Sequence, residues 1–260
     1  MLNYLYYISV NSKLKNKLKE PGIIFIPTYN ESENIEKLYN EICSLNHGCD
    51  LLFLDDNSPD GSGKIIDSLV EDNKNVYVIH RKQKSGIGSA HQDALRWAYE
   101  RKYKTFISMD CDFTHSPALI PKFIQFSENY DVVLGSRFIE KDSLMGWNGY
   151  RKFLTYLGHF FTKFLLGIPY DATGAFRLYD LEKIPIALFK KVNSKSYSFF
   201  FESLFILQKN AFRIKEFPIA LPARTYGTSK MKRSDVIKSF LLMCHLFLKS
   251  IFNHKYYIVK

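Results

Sequence analysis

The 260-residue sequence contains only four cysteines, Cys43, Cys49, Cys111 and Cys244, and none of them is part of a C-x-x-C pair or has zinc-finger spacing. Disulfide frameworks and structural zinc sites usually show such spacing in the sequence, so neither is expected here. We interpret these residues as reduced thiols of a protein in a cytosolic setting.

The sequence also lacks a hydrophobic run long enough to cross a membrane, which requires roughly 20 apolar residues. The two most apolar segments are interrupted, residues 153–166 by Lys163 and residues 236–252 by Lys238 and Lys249. The first ten residues are apolar but follow no basic region, so a cleavable signal peptide is not expected. We assign residues 1–20 to an N-terminal extension or a short surface anchor.

Acidic residues are outnumbered, 26 against 36 basic residues, which gives a net charge of +10. Such an excess favours polyanions as partners, namely nucleotide diphosphates, phospholipid head groups or nucleic acid, although solubility alone also explains it. The sequence has no nucleic-acid fold signature and no arginine-rich tract, so nucleic acid is not the expected partner. Aromatic residues are plentiful at 16%, and many lie late in the chain, which indicates apolar surface as well as core.

Apolar segments of strand and helix type alternate along a chain long enough for one large α/β domain. Strands are predicted over residues 22–28, 51–54, 76–79, 105–109, 131–134, 173–179 and 212–219. Helices are predicted over residues 34–45, 64–70, 151–166, 198–208 and 234–252, with another opened by residues 85–88 and ending at about residue 100, and another beginning at Pro117. This alternation predicts a mostly parallel sheet flanked by helices, and such sheets bind ligands at the carboxyl ends of their strands.

Asp110 and Asp112 follow the buried strand predicted over residues 105–109. Residues two apart on an extended chain share a face, so both carboxylates can reach one cation. Hard oxygen ligands of this kind suit Mg²⁺ or Mn²⁺, which also bind a substrate diphosphate. The alternative is a turn in which an aspartate caps the next helix.

Five polar clusters occur in a fixed order at the ends of predicted strands. They are PTYNE at 27–31, DDNSPDG at 55–61, DCDFTHSP at 110–117, GSRF at 135–138 and TGAFR at 173–177. Together they closely resemble the family 2 glycosyltransferases, and within that family the dolichol- and polyprenol-phosphate mannosyltransferases. The resemblance extends from about residue 23 to about residue 233. It implies a GT-A nucleotide-diphospho-sugar transferase fold.

The resemblance also implies a donor site. Pro27, Tyr29 and Glu31 would contact the base and ribose of the nucleotide, Asp56 would contact the base, and Lys84 would belong to a glycine-rich phosphate loop. Turn capping is the alternative role of the aspartates at 55 and 56. The glycines at 86 and 88 have an alternative role as well, since a loop can need their unusual dihedral angles without binding a phosphate.

The acceptor side of the implied site consists of basic residues. Arg137, Arg151 and Arg224 match family positions near the donor and lipid phosphates, and an arginine can donate two hydrogen bonds to one phosphate. Thr155 lies four residues after Arg151 on the same helical face and could add a hydroxyl. Lys230 follows on a loop after Arg224, as it does in the family.

The residues expected to carry the reaction are Asp110 and Asp112, which would hold the metal, together with Arg137 and Glu202. Glu202 has a family-like context, Phe-Phe-Glu, and a carboxylate on a helix surface is its alternative. His115 is expected to be a local hydrogen-bonding residue rather than a catalytic base. A phosphomonoester is already anionic at neutral pH and needs no strong base to attack.

The function expected from the resemblance is transfer of a sugar, with mannose from GDP-mannose favoured, to a polyprenyl or dolichyl phosphate, with inversion. The alternatives are transfer of glucose or an amino sugar to the same lipid and transfer to a polysaccharide. A non-catalytic, membrane-associated nucleotide-sugar binding subunit and a basic nucleic-acid binder are alternatives of other classes.

The expected domain organisation is a catalytic domain over residues 21–233 and a C-terminal amphipathic helix and tail over residues 234–260. That helix has an apolar stripe that either lies on a membrane or packs in the core. We expect a peripheral protein on the cytoplasmic face of a membrane, the endoplasmic reticulum in a eukaryote or the plasma membrane in a bacterium. A separate membrane-anchoring subunit is a further expected partner.

Overall fold

The computed structural model describes residues 20–222 and 233–259. Within them, seven strands form one sheet in the order β3-β2-β1-β4-β6-β5-β7. The strands are β1 Gly22–Thr28, β2 Cys49–Asp55, β3 Val76–His80, β4 Thr105–Ser108, β5 Val132–Ser136, β6 Arg177–Asp180 and β7 Ile214–Pro218. Every pairing is parallel except those of β6 with β4 and β5. The predicted mostly parallel sheet is therefore confirmed.

Helices cover both faces of this sheet. They are α1 Ile35–Ser44, α2 Ser62–Asp72, α3 Ile87–Glu100, α4 Ile120–Ser127, α5 Gly149–Leu166, α6 Ile186–Phe189, α7 Phe199–Lys209 and α8 Arg233–Phe252. Short 3-10 turns at Pro117–Leu119 and His254–Tyr257 precede α4 and follow α8. Successive side chains of a strand point to opposite faces, so the central strand β1 contributes to two hydrophobic cores. Ile23 and Phe25 belong to one core, and Ile24 and Ile26 belong to the other.

Strand β6 is the largest departure from the predicted elements. Its predicted range began at residue 173, but the strand begins at Arg177 and runs antiparallel to its neighbours. Arg177 pairs with Ser108 at the end of β4 and with Leu134 near the end of β5. The amino end of an antiparallel strand lies at the same edge as the carboxyl ends of its parallel neighbours. The loop before β6 therefore joins the polar clusters that follow the other strands.

Helix α8 packs against α5, where the ring centroids of Phe161 and Phe240 are 5.1 Å apart. Met243 and Leu246 on one side of α8 are buried in the core, and so is Tyr257 in the turn that follows. Other apolar side chains of α8, such as Leu241 and Leu248, are exposed. The helix therefore packs on the core through one face and leaves an apolar face uncovered in the described part of the protein. The predicted domain boundaries stay a prediction.

Candidate active site

The loops after β1 and β2 are hydrogen-bonded into one surface at the carboxyl edge of the sheet. The Asp56 N–H donates to the Thr28 carbonyl at 3.0 Å, and the Glu31 N–H donates to the Ser62 hydroxyl at 2.9 Å. The half-buried ring of Tyr29 lies in this surface, with the Lys84 Nζ 3.7 Å from its centroid. The structure thus brings the predicted nucleotide-binding residues Pro27, Tyr29, Glu31, Asp56 and Lys84 to one region, and their contacts with a nucleotide stay a prediction.

The two aspartates at the end of β2, Asp55 and Asp56, have different partners. The Asp55 carboxylate accepts from the Ser58 N–H at 3.3 Å, which is turn capping. Asp56 forms a largely buried ion pair with Arg81, and the same guanidinium donates to the Ser89 hydroxyl at 2.7 Å and the Gly86 carbonyl at 3.2 Å. None of the five polar clusters contains Arg81. It follows β3 directly, so the strand-end pattern that selected the other clusters could have found it.

The glycines at the start of α3 are required by packing. Gly86 has a φ of +98°, and a Cβ on Gly88 would lie 2.6 Å from the Ser196 carbonyl oxygen. The Ser89 N–H donates to the Lys195 carbonyl at 3.1 Å, so the backbone of residues 195–196 lies against the first turn of the helix. Gly86 thus has the unusual dihedral angle that was the alternative to phosphate binding, and Gly88 is needed for a further reason, the close approach of the backbone at Ser196. A phosphate contact by Lys84 stays a prediction.

Glu202 on α7 holds the segment that packs on those glycines. Its carboxylate oxygens accept from the N–H groups of Asn193 at 3.1 Å and Ser194 at 2.8 Å. Burial raises the pKa of this carboxyl, and the two backbone donors partly oppose the rise. Glu202 therefore has a structural role as the anchor of residues 193–196. Its expected catalytic role stays a prediction.

The Asp110-Cys111-Asp112 segment follows β4 in a turn closed by the residues after it. The Asp110 N–H donates to His115 Nδ1 at 2.9 Å, so the imidazole is neutral with its proton on Nε2. Burial lowers the pKa of His115, and its ring stacks on Phe176 with 4.9 Å between centroids. His115 is therefore a local hydrogen-bonding residue, as predicted.

The two carboxylates of this segment differ in exposure. The Asp110 side chain is 32% exposed, whereas Asp112 is 4% exposed and its Oδ1 accepts from the Thr114 hydroxyl at 2.6 Å. In residues 20–222 and 233–259, no group of three or more acidic, histidine or cysteine side chains is arranged to hold a metal ion. Mg²⁺ and Mn²⁺ commonly bind to one or two carboxylates and complete their coordination with water and substrate phosphates. The pair therefore fits such an ion.

Arg137 follows β5 and is held by a carboxylate that the sequence did not reveal. Its Nε and Nη2 donate to Asp171 Oδ2 at 2.7 Å and Oδ1 at 2.6 Å, and both side chains are buried. Burial alone would raise the pKa of Asp171, but the adjacent guanidinium outweighs burial and lowers it. Burial would likewise lower the pKa of Arg137, but the charge of Asp171, its hydrogen bonds and the more distant charge of Asp110 raise it. Arg137 therefore lies within electrostatic reach of Asp110, one of the two predicted metal-binding residues.

The remaining acceptor-side residues lie in α5 or outside the described residues. The Asn148 side chain caps α5 by accepting from the Arg151 N–H at 2.8 Å. The Arg151 guanidinium lies 3.5 Å from the centroid of the Trp147 ring, and Thr155 is half-buried one turn further on. Arg224 and Lys230 lie outside the described residues, so their predicted phosphate contacts stay predictions.

Large apolar side chains are exposed along one face of α5 and one face of α8, which we call the α5–α8 face. On α5 they are Tyr150, Phe153, Tyr156, Leu157, Phe160 and Phe164, and on α8 they are Ile237, Phe240, Leu241, Leu248, Ile251 and Phe252. Within residues 20–222 and 233–259, no helix is both long and apolar enough to span a membrane.

Comparison with known proteins identifies the family. The model of the family described as glycosyl transferase family 2 matches residues 23–184. The chain belongs to glycosyl transferase family 2. The resemblance inferred from the five clusters is thereby confirmed, and the protein is a glycosyltransferase.

Two curated relatives of this family 2 glycosyltransferase match most of its length. An undecaprenyl-phosphate mannosyltransferase of Micrococcus luteus is 31% identical over 210 residues, which are 80% of this chain and 86% of the relative. A polyprenol monophosphomannose synthase of Mycolicibacterium smegmatis is 31% identical over 220 residues, 82% of each chain.

Among solved structures, residues 1–349 of S. aureus TarS in complex with UDP-GlcNAc superpose with a TM-score of 0.54 at 16% identity. The match covers 88% of this family 2 glycosyltransferase and 66% of the TarS chain. At that identity the likeness concerns the fold alone. The expected GT-A fold is confirmed.

Proposed function

We propose that this glycosyltransferase transfers mannose from GDP-mannose to the phosphate of a polyprenyl or dolichyl lipid, with inversion at the anomeric carbon. The observation that carries the proposal is the match to two curated relatives named for mannosyl transfer to polyprenol phosphates, each over at least 80% of this chain. The carboxylate pair and the arginine side chains at the same sheet edge support it, because donor and acceptor both carry phosphate groups.

The chemistry is a single displacement. An oxygen of the lipid phosphate forms a bond to the anomeric carbon while the bond from that carbon to the diphosphate oxygen breaks, and GDP leaves with the electron pair. The attacking phosphate has a second pKa near roughly 6, so it is a dianion for much of the time at neutral pH and needs no base. Arg137 and Arg151 would bind and orient this phosphate, and residues at the ends of β1 and β2 would hold the nucleoside.

Asp110 and Asp112 would hold a divalent cation, Mg²⁺ or Mn²⁺. When bound, the cation would neutralise the charge that accumulates on the departing diphosphate. The Thr114 hydroxyl already donates to Asp112 at 2.6 Å, and it thereby orients that carboxylate. We therefore assign no ligand role to Thr114.

The lipid acceptor requires access to a membrane, and we propose that the α5–α8 face provides it at the cytoplasmic side. Aromatic side chains such as Phe160 and Phe164 suit the boundary between head groups and acyl chains. Lys163 and Lys238 are exposed on the same two helices, and the whole chain carries a net charge of +10. This combination favours an anionic lipid surface. A separate anchoring subunit that binds the same face is the alternative outcome.

The test is to incubate the protein with GDP-mannose, Mn²⁺ and a polyprenyl phosphate and to look for a mannosylated lipid. UDP-glucose and UDP-N-acetylglucosamine serve as competing donors. We expect mannose transfer that is lost on chelation and in Asp110→Ala, and retained in Asp131→Asn, which removes a buried carboxylate at the opposite edge of the sheet.

Transfer of glucose or of the amino sugar in preference to mannose would replace the proposed donor. Donor binding without transfer to any acceptor would favour the non-catalytic subunit. Metal-dependent transfer that survives Asp110→Ala would contradict the role of the carboxylate pair.

A further inference from the structure

Most of the N–H donors of the Arg137 side chain already form hydrogen bonds within the protein. Its Nε and Nη2 donate to the two oxygens of Asp171, and Nη2 also donates to the Thr173 hydroxyl at 2.5 Å. An arginine side chain has five N–H donors, two of them on Nη1. No acceptor within residues 20–222 and 233–259 takes the Nη1 donors. One edge of the guanidinium is therefore fixed by protein, and the other remains for a ligand.

Asp171 is enclosed by donors on every side. Besides the Arg137 side chain, its carboxylate accepts from the backbone N–H groups of Arg137 at 3.1 Å, Thr173 at 3.2 Å and Gly174 at 3.1 Å. Its side chain has no exposed surface. A carboxylate that is buried and saturated in this way does not itself reach a substrate, so its chemical effect passes through Arg137.

Hydrogen bonds from two neighbouring elements hold the loop that contains Asp171. Glu216 on β7 accepts from the Asp171 N–H at 3.0 Å. The buried Arg177 donates to the carbonyls of Ala172 at 2.8 Å and Gly174 at 2.7 Å, and to the Phe200 carbonyl of α7 at 2.7 Å. These bonds tie the loop to a strand and to a helix, so the carboxylate that orients Arg137 is itself immobilised.

We propose that Asp171 is a positioning residue, which locks the Arg137 guanidinium so that its Nη1 edge faces the phosphate of the acceptor. The choice of ligand rests on the proposed function. A guanidinium fixed in advance needs no ordering when the phosphate arrives, and misplacement of a positioning group by about 1 Å can cost on the order of 100-fold in rate. Because Asp171 also neutralises Arg137, the pair orients the phosphate more than it attracts it.

A positioning role of Asp171 predicts that its loss changes kcat and KM in different ways. In Asp171→Asn the charge that neutralises Arg137 is lost and only one side-chain oxygen remains as an acceptor, so the guanidinium is held less firmly and can follow the phosphate into unproductive positions. We expect kcat to fall roughly 10- to 100-fold while KM for farnesyl phosphate stays level or decreases. Thr173→Val removes only the hydrogen bond from Arg137 Nη2 to the Thr173 hydroxyl. We expect kcat to fall by about 2- to 10-fold in this variant, again without a rise in KM. Arg137→Lys replaces the planar guanidinium, which can donate two hydrogen bonds to one phosphate, and should raise KM as well as lower kcat.

Asp131→Asn is the matched control. Asp131 is buried and binds Lys183 and Arg213, but it precedes β5 and so lies at the edge of the sheet opposite the site. Its loss should lower thermal stability without changing kcat or KM. A general loss of folding would affect both variants alike, whereas positioning is specific to Asp171.

The experiment measures kcat and KM for farnesyl phosphate at saturating donor, together with the NMR signal of the Arg137 Nε–H. We expect that proton to be protected from exchange in the wild type and in Asp131→Asn, and to lose protection in Asp171→Asn. Unchanged kcat in both Asp171→Asn and Thr173→Val, or a protected Nε–H in Asp171→Asn, would overturn the proposal. An inactive wild type would instead contradict the proposed function, and the NMR signal would still test how Arg137 is held.

Discussion

The exposed aromatic pair of α5 gives a quantitative test of membrane docking. Phe160 and Phe164 are 57% and 73% exposed, and their rings stack with 5.8 Å between centroids. Full burial of a phenylalanine side chain is worth about 1.5–3 kcal/mol, so the exposed parts of the two rings together represent roughly 2–4 kcal/mol. Insertion of about half of that area into a bilayer gives roughly 1–2 kcal/mol, or about 5- to 30-fold in partitioning.

The corresponding perturbation is the double variant Phe160→Ser/Phe164→Ser, assayed by sedimentation with phosphatidylglycerol-containing vesicles in low salt. We expect its bound fraction to correspond to a partition coefficient about 5- to 30-fold below that of the wild type. Tyr130→Ser, a half-buried aromatic at the opposite edge of the sheet, should leave partitioning unchanged. Equal partitioning of wild type and double variant would refute the docking role of the α5–α8 face.

Two further predictions concern stability. Gly88→Ala places a Cβ 2.6 Å from the Ser196 carbonyl oxygen and should cost about 1–3 kcal/mol in urea unfolding, whereas Gly158→Ala, in open space on α5, should be neutral or stabilising. Burial opposes ionisation of Asp131, but bonds from Arg213 and Lys183 lower its pKa to about 2 in the folded protein. A depressed pKa stabilises the fold above the ordinary carboxyl pKa, so Asp131→Asn should cost about 1–2 kcal/mol near pH 7. That difference should shrink as pH falls from about 4 towards 2, and a difference that stays constant would contradict the assignment.

Local pattern was sufficient to predict the elements that carry the first half of the site. Strand β1 was predicted with its observed ends because an uninterrupted apolar run is bounded by turn residues, and Asp110 and Asp112 were identified because they follow such a run. Because parallel sheets bind ligands at the carboxyl ends of their strands, these clusters could be assigned to one site without any tertiary information. The GT-A fold was inferred from the resemblance to family 2 glycosyltransferases. The five clusters on which that resemblance rests lie within residues 23–184, the part of the chain that the family model matches.

The partners of these residues were not predictable in the same way. Arg81 meets Asp56 across 25 positions, and Arg137 meets Asp171 across 34. Such pairs depend on which strands become neighbours, and the antiparallel insertion of β6 leaves no periodic signal in the sequence. Glu202 was chosen by its context, but its carboxylate accepts from two backbone N–H groups in the loop before its own helix, which no sequence pattern indicated. Long-range pairing therefore decides which polar residue orients another.

The role proposed for Asp110 and Asp112 is to hold a divalent cation at the diphosphate of the donor. Calorimetric titration of GDP into the protein, with and without Mn²⁺, tests it directly for the wild type, Asp110→Asn and Asp112→Asn. We expect Mn²⁺ to tighten GDP binding to the wild type by about 10-fold or more and to have little effect on either variant. Equal tightening in all three proteins would contradict this role of the two aspartates.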